Sequence, residues 1–387
     1  MLKKRDSNAL FLTIVVLFWF AQYIFVPFLS PHLIALGITA SFTGVIMGAY
    51  GMAQLVLRIP ISVGEDLNGR HKAFIGAGLV VMALAAFIPL VSSSPLAYLI
   101  SRTLTGVAAS TWVSYTAAFT QNVPNVKQRM GQLIAANNFG VMLSYLAGGL
   151  LYQAAGMKAV FAMSVCSALA ALALTACWKP SHAPVNKPFN KEGFLTVIKN
   201  RHLWMCALMT ALGQLVIFAT SSSFVSNYAK ILGASSLMLS VIAIAFNAMG
   251  TLMSWAYAQG ALKKLSERMQ LVVAFGVMAL YCALLPLCRA PWQIAMVQML
   301  GGVSRSIMYT LLMAVAPAQI PPEAKTTATG VFQSVYSLGM TGGPVVMGWL
   351  LDASGQNYSF SFLVMAAVAL AGVAWAFFGY GRDAQEA

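Results

Sequence analysis

RIPISVGEDLNGRHK, residues Arg58 to Lys72, separates two long apolar stretches and decides how this chain folds. The apolar run that begins near Ser41 ends here in two acids, a glycine and several basic or titratable residues, and apolar sequence resumes at Ala73. Glycine can adopt positive φ, a carboxylate is favourable near a helix N-terminus, and cations suit a cytoplasmic membrane surface. The stretch therefore predicts a tight, charged turn between two membrane helices.

The composition places the chain among polytopic membrane proteins. Hydrophobic residues make up 59% of its 387 residues and charged residues only 8%, whereas soluble domains are roughly one-quarter charged. Spanning helices need ~20 apolar residues. Twelve stretches meet this requirement and are numbered here as spans 1 to 12: 9 to 33, 41 to 63, 73 to 93, 95 to 120, 130 to 154, 157 to 178, 203 to 227, 237 to 259, 268 to 288, 292 to 315, 327 to 351 and 358 to 380.

The net charge of +14 reports topology. Most Lys and Arg residues lie at the termini or in the loops that follow even-numbered spans, and only Lys158, Lys230 and Arg289 lie in the other loops. By the positive-inside rule both termini are cytoplasmic, which predicts a multi-pass protein of the cytoplasmic (inner) membrane. The partner that this charge implies is the lipid bilayer, with anionic lipid as a compatible contact, and no nucleic acid is expected. The N-terminal apolar run shows no small-residue cleavage site before it continues past Tyr23, so it is read as span 1.

The cysteines and the charged groups show no catalytic or metal-binding pattern. Cys166, Cys177, Cys206, Cys282 and Cys288 fall within predicted spans without metal-ligand spacing, which favours a packing role. The chain contains no Walker sequence for nucleotide binding and no credible catalytic cluster. We therefore expect that the protein is neither an enzyme nor a primary pump and that it binds no cofactor. We also expect it to be a monomer.

A polar stretch and an internal repeat divide the chain into two halves. Residues 179–202 form the only long polar interruption and are predicted to be a cytoplasmic linker between six-helix bundles at 1–178 and 203–387. A shift of 196 residues places Leu36 and Gly37 on Leu232 and Gly233. The same shift also places six other residues on identical ones: Phe28, Ser30, Leu104, Gly106, Val107 and Ser110 on Phe224, Ser226, Leu300, Gly302, Val303 and Ser306. A shift of 199 residues relates five later positions: Gly131, Gly140, Gly149, Leu151 and Gly156 on Gly330, Gly339, Gly348, Leu350 and Gly355.

These features resemble the major facilitator superfamily. Its loop between helices 2 and 3 follows the pattern G-x-L-a-D-r-x-G-R-r, which Asp66, Gly69 and Arg70 match, whereas Ser62 and Leu67 depart from it. The resemblance implies an all-α fold of 12 transmembrane helices in two pseudo-symmetric six-helix bundles. It also implies a site near the membrane midplane that alternating access exposes to each side.

Polar side chains at helical spacing predict which spans line this site. Spans 3, 6, 9 and 12 carry little polar sequence and are expected to face lipid, while the other eight each have one polar face. Arg305 lies ~20 Å from the outer end of span 10, hence near the midplane. The predicted substrate-binding residues are Trp19, Gln22, Tyr23, Arg102, Trp112, Asn137, Asn138, Gln214, Asn247, Arg305, Tyr309, Gln333 and Tyr336.

Two further motifs bear on conformational change. Arg102, Gly106 and Ala109 resemble the superfamily's helix-4 motif, which is associated with proton-coupled antiporters; a structural role for Arg102 at a neighbouring helix end is equally open. Gly339, Gly343 and Pro344 resemble its helix-5 exporter motif, here in the second half, and fit either a bending helix or simple tight packing. The residues assigned to gating and conformational change are Arg58, Asp66, Gly69, Arg70, Gly339, Gly343 and Pro344.

The charges inside the spans point to the cargo. No Asp or Glu lies deep in any span, whereas Arg102 and Arg305 do, and guanidinium binds carboxylate or phosphate. The sequence therefore predicts a secondary transporter for a small organic anion or amphipathic acid. A proton-coupled drug or metabolite exporter and a non-transporting membrane sensor are the alternatives. Coupling to a proton gradient, through His32 or through the acid itself, is left open beside anion exchange.

Overall fold

The chain folds almost entirely as α-helices in a computed structural model that describes residues 2–68, 70–120, 125–179, 191–321 and 324–380. Apolar residues dominate these helices, and backbone groups inside a membrane must be hydrogen-bonded within the segment, which a helix achieves. The helices are α1 (Leu2–Tyr23), α2 (Val26–Ala35), α3 (Ala40–Asn68), α4 (His71–Val91), α5 (Pro95–Ser110), α6 (Trp112–Thr120), α7 (Val126–Cys177), α8 (Lys191–Lys199), α9 (Arg201–Ala219), α10 (Val225–Ile231), α11 (Ser236–Ala258), α12 (Glu267–Leu284), α13 (Pro291–Val315), α14 (Lys325–Ala353) and α15 (Tyr358–Phe378).

The twelve predicted spans each coincide with a helix, a pair of helices or half of one. Spans 1 and 4 are the pairs α1 with α2 and α5 with α6, and span 7 is α9 and α10 joined by a π-helical turn at Thr220–Phe224. The 52 residues of α7 would measure ~78 Å as one straight helix, far more than a bilayer needs. Gly156, with φ 74° and ψ −170°, breaks it into spans 5 and 6. The short helix α8 lies within the predicted linker.

Eight helical stretches in the described ranges are long and apolar enough to cross a membrane by length and composition. One of them is the double span Gln128–Cys177. Spans 4, 10 and 11 are not among the eight: span 4 is divided at Thr111, and α13 and α14 are long enough but carry more polar sequence. Those polar helices are among the ones expected to line a site.

The backbone preserves the internal repeat. Gly37 and Gly233, related by the 196-residue shift, both adopt positive φ, at 81° and 87°. Gly156 and Gly355, related by the 199-residue shift, do the same at 74° and 65°. Since only glycine enters this region without strain, the duplicated glycines mark equivalent breaks at the ends of equivalent spans. The structure confirms the repeat. The boundary of the halves at the 179–202 linker stays a prediction, because residues 180–190 lie outside the described ranges.

Small residues allow the two halves to contact each other through two equivalent helix pairs. Gly149 on α7 packs against Ser236 and Ser240 at the start of α11, and Gly348 on α14 packs against Ala40 at the start of α3. Ala40 and Ser236 are themselves related by the 196-residue shift. Such close approach of backbones is typical of membrane helix packing, which depends on small residues at the contact. The interface between the halves therefore has the pseudo-twofold relation that the repeat predicts.

The outer surface is apolar. The helix α4, which is span 3, exposes Val80, Leu84, Phe87 and Val91, and α15, which is span 12, exposes Phe360, Leu363, Leu370 and Phe377. Exposed apolar side chains on one face are what a helix at the lipid boundary presents. These faces agree with the prediction that spans 3 and 12 lie at the periphery.

Candidate functional site

The first component of the site is a hydrogen-bonded bridge between the halves, centred on Arg58 of α3. Its Nη1 donates to Gln333 Oε1 and to the Tyr336 hydroxyl on α14, each at 2.8 Å. Its Nη2 donates to Gln54 Oε1, one turn earlier on α3. Arg58 is only 6% exposed, so its guanidinium is bound within the protein by partners from both halves. We call Arg58, Gln54, Gln333 and Tyr336 the arginine clasp.

Two more arginines lie over aromatic rings in equivalent places of the two halves. The Arg102 guanidinium carbon is 4.5 Å from the centre of the Tyr50 ring, and that of Arg305 is 5.8 Å from the centre of the Phe246 ring. Tyr50 and Phe246 are related by the 196-residue shift, and each packs its backbone against the corresponding glycine two helices later, Gly106 on α5 or Gly302 on α13. A guanidinium over a ring face is a favourable cation–π contact.

Aromatic side chains cover the N-terminal half of this region. The Trp19 ring lies 5.1 Å from Trp112 and 5.5 Å from Tyr23, and Tyr23 lies 6.2 Å from Tyr145, measured between ring centres. On the other half, the rings of Tyr309 and Tyr336 are 5.8 Å apart. Tyr145 also interacts electrostatically with Arg305 and with the Asn247 side chain. Rings from both halves thus surround the three cations.

Arg102 and Arg305 lie on helices, α5 and α13, whose sequences contain no Asp or Glu. The sequence holds no Asp or Glu between residues 67 and 191, 193 and 266, 268 and 322, or 324 and 351. The acidic side chains within the described part, Glu267 and Asp352, sit at helix ends, where Glu267 accepts a hydrogen bond from Tyr380 at 2.7 Å. A buried cation without an opposite charge is costly in a low-dielectric region, so this arrangement favours an anion from outside the protein.

Several buried polar atoms around the cluster lack a hydrogen-bond partner among the described residues. They are Arg102 Nε and Nη1 and Trp19 Nε1, which are donors, and the amide oxygens of Gln22 and Gln214, which are acceptors. Buried polar groups are normally hydrogen-bonded. The unpartnered nitrogens of Arg102 and the unpartnered oxygen of Gln22, whose amide is bonded to Thr105 on the same helix as Arg102, therefore indicate a place that a polar ligand completes.

Most of the predicted substrate-binding residues fall on this cluster, though not all. Asn137 and Asn138 lie half-buried about two turns before Tyr145 on α7, and no hydrogen bond in the described ranges joins them to the cluster. Tyr50, Gln54 and Tyr145 were not predicted. Tyr50, Gln54 and Arg58 are spaced four residues apart and so form a polar stripe on one face of α3. This spacing is the feature of the sequence from which Tyr50 and Gln54 could have been predicted.

The residues predicted to act in gating are distributed differently. Arg58 belongs to the arginine clasp, close to predicted substrate residues. The Asp66 side chain and Gly69 lie outside the described residues. Arg70 is exposed before α4. Gly339 and Gly343 pack against the α9 backbone at Ala211 and Leu215. Pro344 lies inside α14, where its carbonyl faces Gly44 of α3. Of the two readings of this motif, the contacts support tight packing.

A second polar contact joins the halves at the N-terminal end of α3. Asp352, one residue beyond predicted span 11, accepts hydrogen bonds from the backbone N–H of Ala40 at 3.2 Å and of Ser41 at 2.8 Å. The carboxylate thereby caps α3 from the other half, as a negative charge at a helix N-terminus favours. Partial burial opposes ionisation, but the hydrogen bonds from Ser41 and Ala40 prevail and hold the pKa of Asp352 below its usual range.

Comparison with known proteins agrees with this architecture. The model of the family described as the Major Facilitator Superfamily matches residues 11–297 and 261–386. An uncharacterized MFS-type transporter of Methanocaldococcus jannaschii is 24% identical over 367 residues, covering 89% of this chain and 91% of that protein. The inner membrane transport protein YajR of Escherichia coli is 23% identical over 374 residues, covering 92% of this chain and 80% of that protein.

Solved structures share the fold at lower identity. The nucleoside transporter NupG has a TM-score of 0.72 at 14% identity, covering 96% of this chain and 99% of that one. A bacterial homologue of the human lysosomal transporter Spinster, in an inward-facing and unoccupied conformation, has a TM-score of 0.74 at 14% identity, covering 96% of both chains. At such identities the likeness concerns the fold alone.

Proposed function

The chain belongs to the Major Facilitator Superfamily of membrane transporters, and from this premise we propose that it moves a small organic anion or amphipathic acid by alternating access. One observation supports the choice of an anion above others. Arg102 and Arg305 lie over equivalent rings of the two halves, and the helices α5 and α13 that carry them contain no acid. A carboxylate entering this region would supply the missing opposite charge and accept from the unpartnered nitrogens of Arg102.

The position of the cations suits a substrate shared between the halves. Arg102 belongs to α5 in the first half and Arg305 to α13 in the second, and each lies over its equivalent ring. An anion bound by both arginines would contact one group from each half, and these groups would move apart when the halves rock. The rings of Trp19, Tyr23 and Trp112 would contact the apolar part of an amphipathic acid.

We further propose that the protein lies in the cytoplasmic membrane with both termini cytoplasmic, on the evidence of the basic loops. A monomer is proposed with it as the simplest assembly. Since the spans hold no carboxylate to carry a proton, a proton gradient would act through the acid itself, transported in protonated form or with a proton. The alternative mode of coupling is anion exchange. Flux that rises when a pH gradient is imposed would favour proton coupling over anion exchange.

Proteoliposomes test the assignment directly. Uptake of a panel of radiolabelled monocarboxylates should saturate, and Arg305→Ala and Arg102→Ala should each lower uptake roughly 10- to 100-fold, the equivalent of a hydrogen bond to a charged group worth about 1.5 to 3 kcal/mol. Arg305→Lys should retain part of the activity because it keeps the charge but loses the forked geometry. Arg289→Ala, which removes an exposed arginine near a span end, is the matched control.

The same assay separates the alternatives. Undiminished uptake in both Arg305→Ala and Arg305→Lys would refute the role of Arg305. Transport of lipophilic cations in preference to acids would favour a proton-driven exporter, which the aromatic wall beside Arg102 could serve. A complete lack of saturable flux for any solute would favour a sensor built on a transporter fold.

A further inference from the structure

Gln214 faces the first half of the protein from α9. One turn later on the same helix, the Phe218 ring stacks on Tyr50 of α3, with ring centres 6.4 Å apart and planes 14° from parallel. Residues four apart lie on the same helical face, so Gln214 shares the face that meets the first half. The Arg102 guanidinium lies 4.5 Å from the centre of the same Tyr50 ring. Gln214 therefore lies across the interface from the proposed anion site.

The amide oxygen of Gln214 has no donor among the described residues, although the side chain is only 3% exposed. Gln22 of α1 shows the same feature at 1% exposure: its Nε2 donates to the Thr105 carbonyl at 3.0 Å, which fixes the orientation of the amide and leaves Oε1 without a donor. Thr105 follows Arg102 by three residues. One orphaned amide oxygen thus flanks the anion site from each half.

A neighbouring glutamine shows that an amide in this region can be satisfied internally. Gln298 on α13 is 1% exposed, and its Oε1 accepts a hydrogen bond from Ser221 at 2.9 Å. Ser221 belongs to the π-helical turn that follows Phe218, and such turns often occur at functional sites. Gln214, in contrast, has no such donor for its amide oxygen among the described residues.

We propose that the amide oxygens of Gln214 and Gln22 accept hydrogen bonds from the cargo, so that the transported acid also carries hydroxyl or N–H groups. This inference rests on the proposed function and names its substrate class more closely. In this arrangement Arg102 holds the carboxylate, Gln22 takes a donor beside it, and Gln214 takes a donor on the second half. An acid without such donors leaves both oxygens buried and unpaired, which a polar site rejects.

Matched acids that differ by one donor group test this. The probes are lactate with propionate, 3-hydroxybutyrate with butyrate, and mandelate with phenylacetate, each measured by uptake into proteoliposomes and by competition against the best transported acid. Wild type should prefer the hydroxylated member of at least one pair by 10-fold or more in apparent affinity. Gln214→Leu or Gln22→Leu should reduce that preference below 3-fold, because the hydroxylated acid loses more apparent affinity than its unsubstituted partner.

Thermal unfolding of the purified variants distinguishes a binding role from a structural one. Gln298→Leu should lower the melting temperature because it leaves the Ser221 hydroxyl without its acceptor. Gln214→Leu should leave the melting temperature equal or raise it, since it removes an unsatisfied buried acceptor. A drop as large as that of Gln298→Leu would overturn the inference, because Gln214 would then be bonded inside the protein.

Two outcomes of the uptake assay would also overturn it. One is a wild-type protein that transports acids without preferring any hydroxylated member; the other is a preference that survives in both glutamine variants. Neither of these two outcomes would contradict the proposal that the protein transports an organic anion. Failure of the wild type to transport any acid in the panel would instead refute the proposed function, and this inference with it.

Discussion

Removal of Arg58 should shift the conformational equilibrium of the protein away from the state described here. Arg58→Leu keeps an apolar side chain at a buried position of α3 but removes the hydrogen bonds to Gln333 and Tyr336 on α14, both 2.8 Å long. Those two bonds cross between the halves, whereas the bond to Gln54 stays within α3. The variant therefore weakens one specific contact between the halves.

The size of the effect follows from the number of crossing bonds. Hydrogen bonds between membrane helices contribute about 0.6 kcal/mol on average and up to about 1.7 kcal/mol. Two such bonds amount to roughly 1.2 to 3.4 kcal/mol, which changes a two-state equilibrium constant roughly 7-fold to 250-fold. Tyr336→Phe removes one of the two bonds and should shift the equilibrium by about half as much in free energy.

Spin labels placed beside the clasp can measure this shift. Cysteines introduced at Ile61 on α3 and Thr327 on α14, in a background without the five native cysteines, report the separation of the two helices by electron–electron double resonance. In Arg58→Leu the share of the longer distance should grow at the expense of the shorter one. Gln54→Leu is the matched control, because it removes a partner of Arg58 within the same helix and spares the bonds to α14.

The reasoning fails if Arg58→Leu leaves the distance distribution unchanged, within a factor of two in the population ratio. It also fails if Gln54→Leu shifts the distribution as strongly as Arg58→Leu. An unchanged distribution in Arg58→Leu would mean that the packing of α3 on α14 through Gly44, Gly48 and Gly51 holds the halves together without help from the clasp. An equal shift in Gln54→Leu would mean that the two bonds to α14 are not the source of the shift.

Two further predictions concern packing and pH. Gly339→Ala should lower the free energy of unfolding by about 1 to 3 kcal/mol, because a Cβ there would meet the backbone carbonyl of Ala211 on α9. The control is Gly276→Ala on α12, which should be neutral or slightly stabilising because a Cβ there meets nothing within 4 Å. Thermal unfolding of the two variants measures the difference. For Asp352, whose pKa is lowered in the folded protein, the cap on α3 is fully present above the usual carboxyl pKa of about 4 and is lost as pH falls through the lowered value. Labels near Ser41 and Ser354 should therefore separate on strong acidification in wild type, whereas Asp352→Asn should show no such pH dependence; an identical acid response in both would exclude the carboxylate as its source.

Much of the fold was predictable because the membrane imposes simple rules on sequence. Span length follows from bilayer thickness, so the stretches that the apolar runs predicted coincide with helices, and the break in α7 at Gly156 falls between predicted spans 5 and 6. The repeat was predictable because Gly37 and Gly233, or Gly156 and Gly355, occupy positions that need positive φ. The boundaries of the two halves and the role of each predicted site residue remain predictions.

The sequence by itself determined that the spans contain arginines and no acids, and that polar faces recur on certain helices. Helical periodicity assigns side chains to a face of their own helix, but it does not say which other helix that face meets. Only the tertiary structure decided that Arg58 bonds to Gln333 and Tyr336, 275 and 278 residues away, and that Tyr50 and Phe246 receive the two remaining guanidinium groups. Those contacts depend on how two bundles of helices rotate and approach each other, a property of the packed whole that no local pattern encodes.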